Sequence, residues 1–488
     1  MRDAHSRPTL TRQRDSDTIL AMPHSRNLLR AKRLSRTLAL LIPLVSLLAS
    51  GHSAAQEREA PDTSGRPRNP VYDPGQPVQR KVLKNGVRLL VQEQRTSDRV
   101  AGVVALKMGT RYESENESGL SQVMMRALAS ATEHRSGPEI QLELLASGAT
   151  METGAGPDMG QISIGTTRER LSKAIDLLSD IALNPAFPDT AFEAARGYFL
   201  GKASDDVGGP LSGTYAIFLR TFYRGSPFER PAFGQVRTIG DSRRGDIVAL
   251  YKKLFVGGNI SVCFVGNFDG KKVMVDLEKA FATAAPGPPP APFAGDPVPL
   301  AADTLVSEER PYRAQSLAYG YPAPGYGDPD YPAFMIIDSY LRSGDRSPIA
   351  YWLPERHLAT GVGILYPRYP KRSSITVYLG ATPANWKAAR DTVATVMRRL
   401  TTEPLDKGDW AAHLKRVQNA YFKDQDSPLV RARDLARYET LDLGLDYPKR
   451  FESRLLTLKP EDVRDAAARW FTHACEVTLL PSKIDSGP

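Results

Sequence analysis

The sequence predicts two homologous α+β domains, each a largely antiparallel sheet with helices packed on one face. Three observations carry this. A proline-rich stretch at 286–299, PGPPPAPFAGDPVP, separates two halves of similar length, 80–285 and 300–488. The halves end alike: RTIGDSRRGDIVALYKKLFVGGNISVCFVGNFD closes the first and LLTLKPEDVRDAAARWFTHACEVTLLPSK the second. Each ending has an apolar pair, an acidic helix start, an amphipathic helix, an aromatic and a strand, which indicates an internal duplication. Finally, strand and helix signals alternate without a regular βαβ rhythm, as hairpins mixed with long helices do.

In the first half, Val87–Val91 and Val100–Lys107 are aliphatic runs that read as neighbouring strands. Leu120–Ala129 and Arg168–Ile181 carry apolar residues at helical spacing, and Ile162–Ile164 reads as a short strand between them. The closing helix runs from Arg244, with Ile247, Leu250, Tyr251 and Leu254 on one face, and the strand Ile260–Val265 follows at once. Residues 56–79 hold five prolines and no period and read as a flexible leader. Residues 286–299 read as a linker.

The first 55 residues are of another kind. Arg26, Arg30, Lys32, Arg33 and Arg36 precede the apolar run Leu38–Ser50, and Ser53, Ala54 and Ala55 follow it. This is the layout of a secretory signal cut near Ala55. The competing reading is a membrane anchor, but 13 apolar residues are short for a bilayer. No cysteine stands near the cut to take a lipid. The expectation is export across an inner membrane into a periplasm, with no stable membrane span.

That segment also explains the charge. It holds nine of the 64 Arg and Lys and three of the 55 Asp and Glu, so the net +9 falls to +3 without it. No basic stripe with interleaved aromatics remains, which argues against nucleic acid as a partner. Cys263 and Cys475 could pair in an exported protein, but both lie in apolar strand-like runs, where a free cysteine usually acts as a small core hydrophobe, and that is the reading favoured.

The chemistry rests on GTRYESENESGLSQVMMRAL, residues 109–128. A Gly-Thr-Arg loop with an acidic residue, then Gly-Leu opening a helix, resembles the active-site segment of the insulinase/pitrilysin peptidases. In that family the helix reads GLAHFLEHM. Its inverted motif, H-x-x-E-H, places two zinc-binding histidines on one helical face and a glutamate that activates water. The match runs without a gap from Gly119 to Ala127 and puts Gln122 at the first His, Met125 at the Glu and Arg126 at the second His. The family's third ligand, a Glu in a downstream helix, corresponds to Lys202 within FEAARGYFLGKA, 192–203. The resemblance continues through 136–196, including Glu139, Asp158 and the Asn184-Pro185-Ala186-Phe187 turn.

The resemblance therefore implies a family fold, two such domains in a clamshell, with no catalytic residue and no metal ligand of its own. Arg126 cannot lose its proton and Lys202 normally keeps it, so both repel a cation. Met125 cannot act as a base. Of the substrate-binding positions, the family's edge-strand Asn-Ala pair is replaced by Glu152-Thr153. The Arg and Tyr of its second-half segment fall on Pro348 and Thr360 of SPIAYWLPERHLAT, leaving Arg346 as a displaced candidate. In this family inactive chains pair with an active one and together enclose a chamber. The resemblance thus implies a subunit whose partner is an active homologue carrying the zinc, in peptide or protein degradation. A peptide-binding scaffold working as a homodimer is the alternative, and an active metallopeptidase the remote one. The expected partners of the Arg126 and Lys202 charges are the local acids Glu152 and Glu113, with an acidic peptide end as the other option.

Overall fold

Two sheets of matching topology organise the chain. The computed structural model describes residues 75–482, apart from residues 294, 296, 313, 314, 345 and 424. The expected signal segment 1–55 and most of the leader lie outside the described residues. The first sheet contains β1 (Gln79–Val82), β2 (Arg88–Glu93), β3 (Arg99–Leu106), β4 (Thr150–Ala155), β5 (Gly160–Thr167) and β6 (Ile260–Gly266), in the order β1-β2-β6-β3-β5-β4. The second contains β7 (Thr304–Arg310), β8 (Gln315–Pro324), β9 (Gly361–Leu365), β10 (Arg372–Ala381) and β11 (Cys475–Pro481), in the order β7-β11-β8-β10-β9. Setting β1 aside, order and direction agree strand for strand. The first strand runs parallel to the last (β2 with β6, β7 with β11) and every other neighbour is antiparallel.

The helices of the first half are α1 (Leu120–Leu128), α2 (Gly137–Ala146), α3 (Leu171–Leu183), α4 (Asp189–Gly208), α5 (Pro210–Phe222), α6 (Val236–Asp241), α7 (Arg244–Leu254) and α8 (Gly270–Ala280). Those of the second are α9 (Tyr331–Arg342), α10 (Trp352–Glu355), α11 (Trp386–Thr402), α12 (Lys407–Phe422), α13 (Pro428–Thr440), α14 (Tyr447–Thr457) and α15 (Pro460–Trp470). The expected elements are present with shifted ends. Arg168–Arg170 form a short 3-10 turn before α3 starts at Leu171. The short strand expected at Ile162–Ile164 is the middle of the eight-residue β5. Its alternate positions, Gln161, Ser163 and Gly165, are polar or small, and so they masked its length. Between α8 and β7 there is neither helix nor strand among the described residues.

β2 and β3 are buried on both faces, which is why they read as unbroken apolar runs rather than alternating ones. Leu89 and Val91 of β2 enter the core beneath the first half's own helices, with Val123, Met124, Leu178 and Leu250. Leu90 points the other way and joins Ala101, Val103, Ala105, Cys263 and Val265. That second face is covered by α13, a helix of the other half, through Ala432, Leu435 and Ala436. The exchange is reciprocal. Helix α5 of the first half lies on β8, β10 and β11 of the second sheet. Its Phe218 is fully buried, and a Cβ at Gly320 of β8 would meet that ring at 2.8 Å. The expectation of helices on one face thus holds within each half, and the opposite face is closed by a helix lent by the other half. Each large apolar side chain buried in this way contributes about 1.5–3 kcal/mol. All of the described residues belong to one compact unit.

Cys263 and Cys475 are free and buried, one in each sheet. No helix among the described residues is long and apolar enough to cross a membrane.

Candidate functional site

The loop that precedes α1 is held from its carbonyl groups. Arg230, buried among them, donates to the backbone oxygens of Thr110 at 2.9 Å, Glu113 at 2.7 Å and Ser114 at 2.6 Å. Gly119 then starts the helix from the left-handed region at φ +91°, and a Cβ there would stand 2.6 Å from the Phe233 carbonyl oxygen. Glu113 is buried and supplies the N-terminal cap: its carboxylate accepts from the backbone N–H of Gly119 at 2.9 Å and of Ser121 at 2.8 Å. Burial pushes its carboxyl up, while those two donors favour the ion.

Helix α1 lies against β4, the last strand of the first sheet. Two side chains tie them together. Gln122 Nε2 donates to the Ala155 carbonyl at 2.8 Å, and Thr153 Oγ1 donates to the Met125 carbonyl at 2.9 Å. Met125 is 1% exposed and packs in the first core. Gln122, Met125 and Arg126 therefore do not form a common surface face: the first two are buried and only Arg126 is exposed. Burial of Gln122 is compatible with its amide because the Ala155 carbonyl satisfies it.

Helix α4 crosses α1 with Phe192, Ala195, Phe199 and Ala203 inward. Tyr198 and Lys202, four residues apart, share a neighbouring face of α4. The Arg126 guanidinium carbon sits 4.0 Å from the Tyr198 ring centroid, and Lys202 Nζ sits 5.7 Å from it. The two cations thus meet on one aromatic ring, which supports both through its negative face. Neither makes an ion pair or hydrogen bond among the described residues. Asp206, one turn beyond Lys202 on α4, feels the Lys202 charge. Burial pushes its carboxyl up to about 6, opposed by a hydrogen bond from the Phe233 backbone and by the Lys202 charge.

The acids expected to match these cations are engaged elsewhere. Glu113 caps α1. Glu152 projects from the other face of β4 and pairs at 2.5 Å with Arg433 of α13, which also donates to Ser163 Oγ at 2.8 Å. Alternation along β4 sends Thr153 toward α1 and Glu152 toward α13, so adjacent residues serve different halves. Arg346 is 66% exposed and faces Asp409 of α12 at 3.7 Å, within the second half. Tyr198, which organises the site, carried a legible signal in its four-residue spacing from Lys202. Arg433 had none, standing 281 residues from Glu152.

The donor set at this place does not fit zinc. The Gln122 amide is committed to Ala155, Met125 offers only a buried thioether, and Arg126 and Lys202 are cations. Among the described residues no group of three or more His, Cys, Asp and Glu is placed to hold a metal ion.

Fold and site together define a two-sheet α+β scaffold in which the place that the resemblance assigns to a metal carries Arg126 and Lys202. The family comparisons agree on its lineage. Residues 88–207 match the model for insulinase (peptidase family M16), and residues 243–417 match that for the peptidase M16 inactive domain. The chain belongs to the insulinase, or M16 peptidase, family. An uncharacterized zinc protease of Rickettsia felis is 24% identical over 205 residues, covering 42% of this chain and 50% of that protein. The mouse mitochondrial-processing peptidase subunit beta is 21% identical over 272 residues, 54% of each chain. The chain spans about half the length of the curated relatives it matches. A protease from Helicobacter pylori has the same fold, with a TM-score of 0.75 at 18% identity over 83% of this chain and 100% of that one. A peptidase M16 inactive domain from Pseudomonas fluorescens gives 0.73 at 17% identity over 84% and 100%.

Proposed function

We propose that this chain is an exported, non-catalytic M16 protein that works as the inactive subunit of an active metallopeptidase homologue. The observation that carries the reading is the state of the four chemical positions. Two of them, Gln122 and Met125, are absorbed into the packing of α1 on β4 and the core. The other two, Arg126 and Lys202, are cations on one tyrosine ring. At these four positions there is neither a general base nor a Lewis-acid ligand set, so in this reading water activation comes from another chain. Two relatives point the same way by their names: one is a subunit of a processing peptidase, another is subunit 1 of the human cytochrome b-c1 complex, 21% identical over 270 residues. The partner would carry H-x-x-E-H and the zinc. The expected signal segment at 1–55 supports placing both in a periplasm.

The test is cleavage of unstructured peptides by the purified chain, by an H-x-x-E-H homologue from the same source, and by the two mixed, each with and without chelator. The expected result is no cleavage by this chain alone and chelator-sensitive cleavage that rises on mixing. Chelator-sensitive cleavage by this chain alone overturns the reading. Self-association with no complex favours the homodimeric scaffold.

A further inference from the structure

We infer that a cavity between α2, β5 and α3 binds a short, branched aliphatic carboxylate. The cavity lies apart from the α1 and α4 positions, and the inference is independent of the non-catalytic reading. Its volume is about 70 Å³. Ile164 of β5 and Ala174 and Leu177 of α3 are buried and form its base. Glu143, Ala146, Arg170 and Lys173 also line it and are exposed, so they form its rim. The space is left because both flanking helices carry alanine here, Ala146 on α2 and Ala174 on α3.

The base suits carbon better than water. Two hydroxyls line it, and each gives its proton to a carbonyl. Thr166 Oγ1 donates to the Ser147 oxygen at 3.0 Å, and Ser147 Oγ donates to the Glu143 oxygen at 2.6 Å. A water held there needs about two to four polar partners, and the aliphatic base supplies none. An engineered apolar cavity of about 150 Å³ takes benzene, so half that volume takes roughly three or four aliphatic carbons.

The rim suits a negative charge. Arg170 and Lys173 stand three residues apart at the start of α3, and neither side chain makes a hydrogen bond or ion pair among the described residues. The acids nearby are engaged. Arg135 Nε donates to Glu143 at 3.1 Å, and the same guanidinium holds Asp176 and Asp180. Glu169, exposed beside Arg170, bonds its own backbone and Thr167. A guanidinium and an ammonium over an apolar pit match a molecule with an anionic head and a short branched tail. The tail fills the base, and the carboxylate stays at the rim. Phosphate has no carbon to place in the base, and a long straight chain overruns it.

The experiment is saturation-transfer NMR at low salt on the full chain, observing isovalerate. Its methyl groups should be saturated. Isovaleramide, which lacks the charge, and acetate, which lacks the branch, should each bind at least about tenfold more weakly. Arg170→Gln with Lys173→Gln, both at exposed positions, should bring isovalerate down to the affinity of the amide. Ala146→Phe, also at an exposed position, should cover the cavity and abolish saturation of acid and amide alike. Equal affinity for acid and amide overturns the assignment. So does acid binding unchanged in the charge variant, or binding that survives Ala146→Phe. Octanoate bound as tightly as isovalerate overturns it in favour of an open apolar surface. N-acetyl-leucine, standing for a chain end, should bind more weakly than isovalerate, and equal or tighter binding overturns the free acid as the ligand.

Discussion

The Tyr223 hydroxyl, at the end of α5, donates to Ser374 Oγ of β10 at 2.8 Å. One residue belongs to the first half and the other to the sheet of the second. Around this bond Phe222 and Tyr223 pack edge to face, and Phe228 stacks on Tyr369 at 3.7 Å between centroids. The two halves are therefore joined through buried side chains, and this joint determines how the molecule responds to mutation.

Tyr223→Phe should destabilise by about 1 kcal/mol, the net value of one buried hydrogen bond, with Ser374 Oγ still accepting from Thr376 Oγ1 at 3.3 Å. Tyr223→Ala should cost about 3–5 kcal/mol through the cavity it leaves. Urea unfolding with an unchanged m-value checks both.

The reciprocal helices predict that neither half is stable alone. A fragment of residues 75–299 uncovers the face of Leu90, Ala101, Val103 and Val265 that α13 covers. It should bind a hydrophobic dye and aggregate, and should recover native-like near-UV dichroism only with the fragment 300–482. A soluble, cooperatively unfolding first half would contradict this.

Asp180 gives a pH dependence of known sign. Burial alone would raise its carboxyl. Hydrogen bonds from Thr132 at 2.7 Å, His134 at 2.7 Å, Asn184 at 3.0 Å and Arg135 outweigh burial and hold it at about 2. The folded value lies below the unfolded one, so the group stabilises above about pH 4 and loses that contribution as pH falls through about 2. Asp180→Asn should cost roughly 2 kcal/mol at pH 7 and little near pH 2. Chemical denaturation at both values measures the difference.

His413 acts at higher pH. Buried beside Ser339 and Tyr340, with Arg416 adding to the effect, its ring is pushed down to about 4. Between about pH 6.5 and 4 the unfolded chain takes up a proton that the folded chain refuses, so stability falls as pH drops through that window. Imidazole resonances followed by NMR should show His413 neutral down to about pH 4.

Rebuilding a metal position should require every change at once. Lys202→Glu alone leaves Arg126 in place, and Arg126→His alone leaves Lys202. Neither should retain zinc through dialysis. The combination Gln122→His, Met125→Glu, Arg126→His and Lys202→Glu should retain it, at a stability cost, because Met125 is buried in the core and its carboxylate replacement must be desolvated. Elemental analysis of each variant decides, and retention of a full equivalent by the unaltered chain would defeat the account of the site.

The sequence by itself determined whatever depends on local pattern. The matching endings announced the duplicated topology. The run from Gly119 to Ala127 announced the helix that the structure shows as α1, and the resemblance assigned Gln122, Met125 and Arg126 to its chemical positions. Edge strand β4 was legible as well. Tertiary structure decided what depends on residues far apart in the chain. That α5 and α13 are exchanged between halves follows from a sheet burying both faces, and an apolar run does not state what covers its second face. Glu152 turned from Arg126 to Arg433 because the pleat sends alternate side chains to opposite faces, and only assembly showed which half stood on each. The meeting of Arg126 and Lys202 on Tyr198 needed α1 and α4 to cross. Sequence spacing located the charges, and packing left them unpaired on one ring.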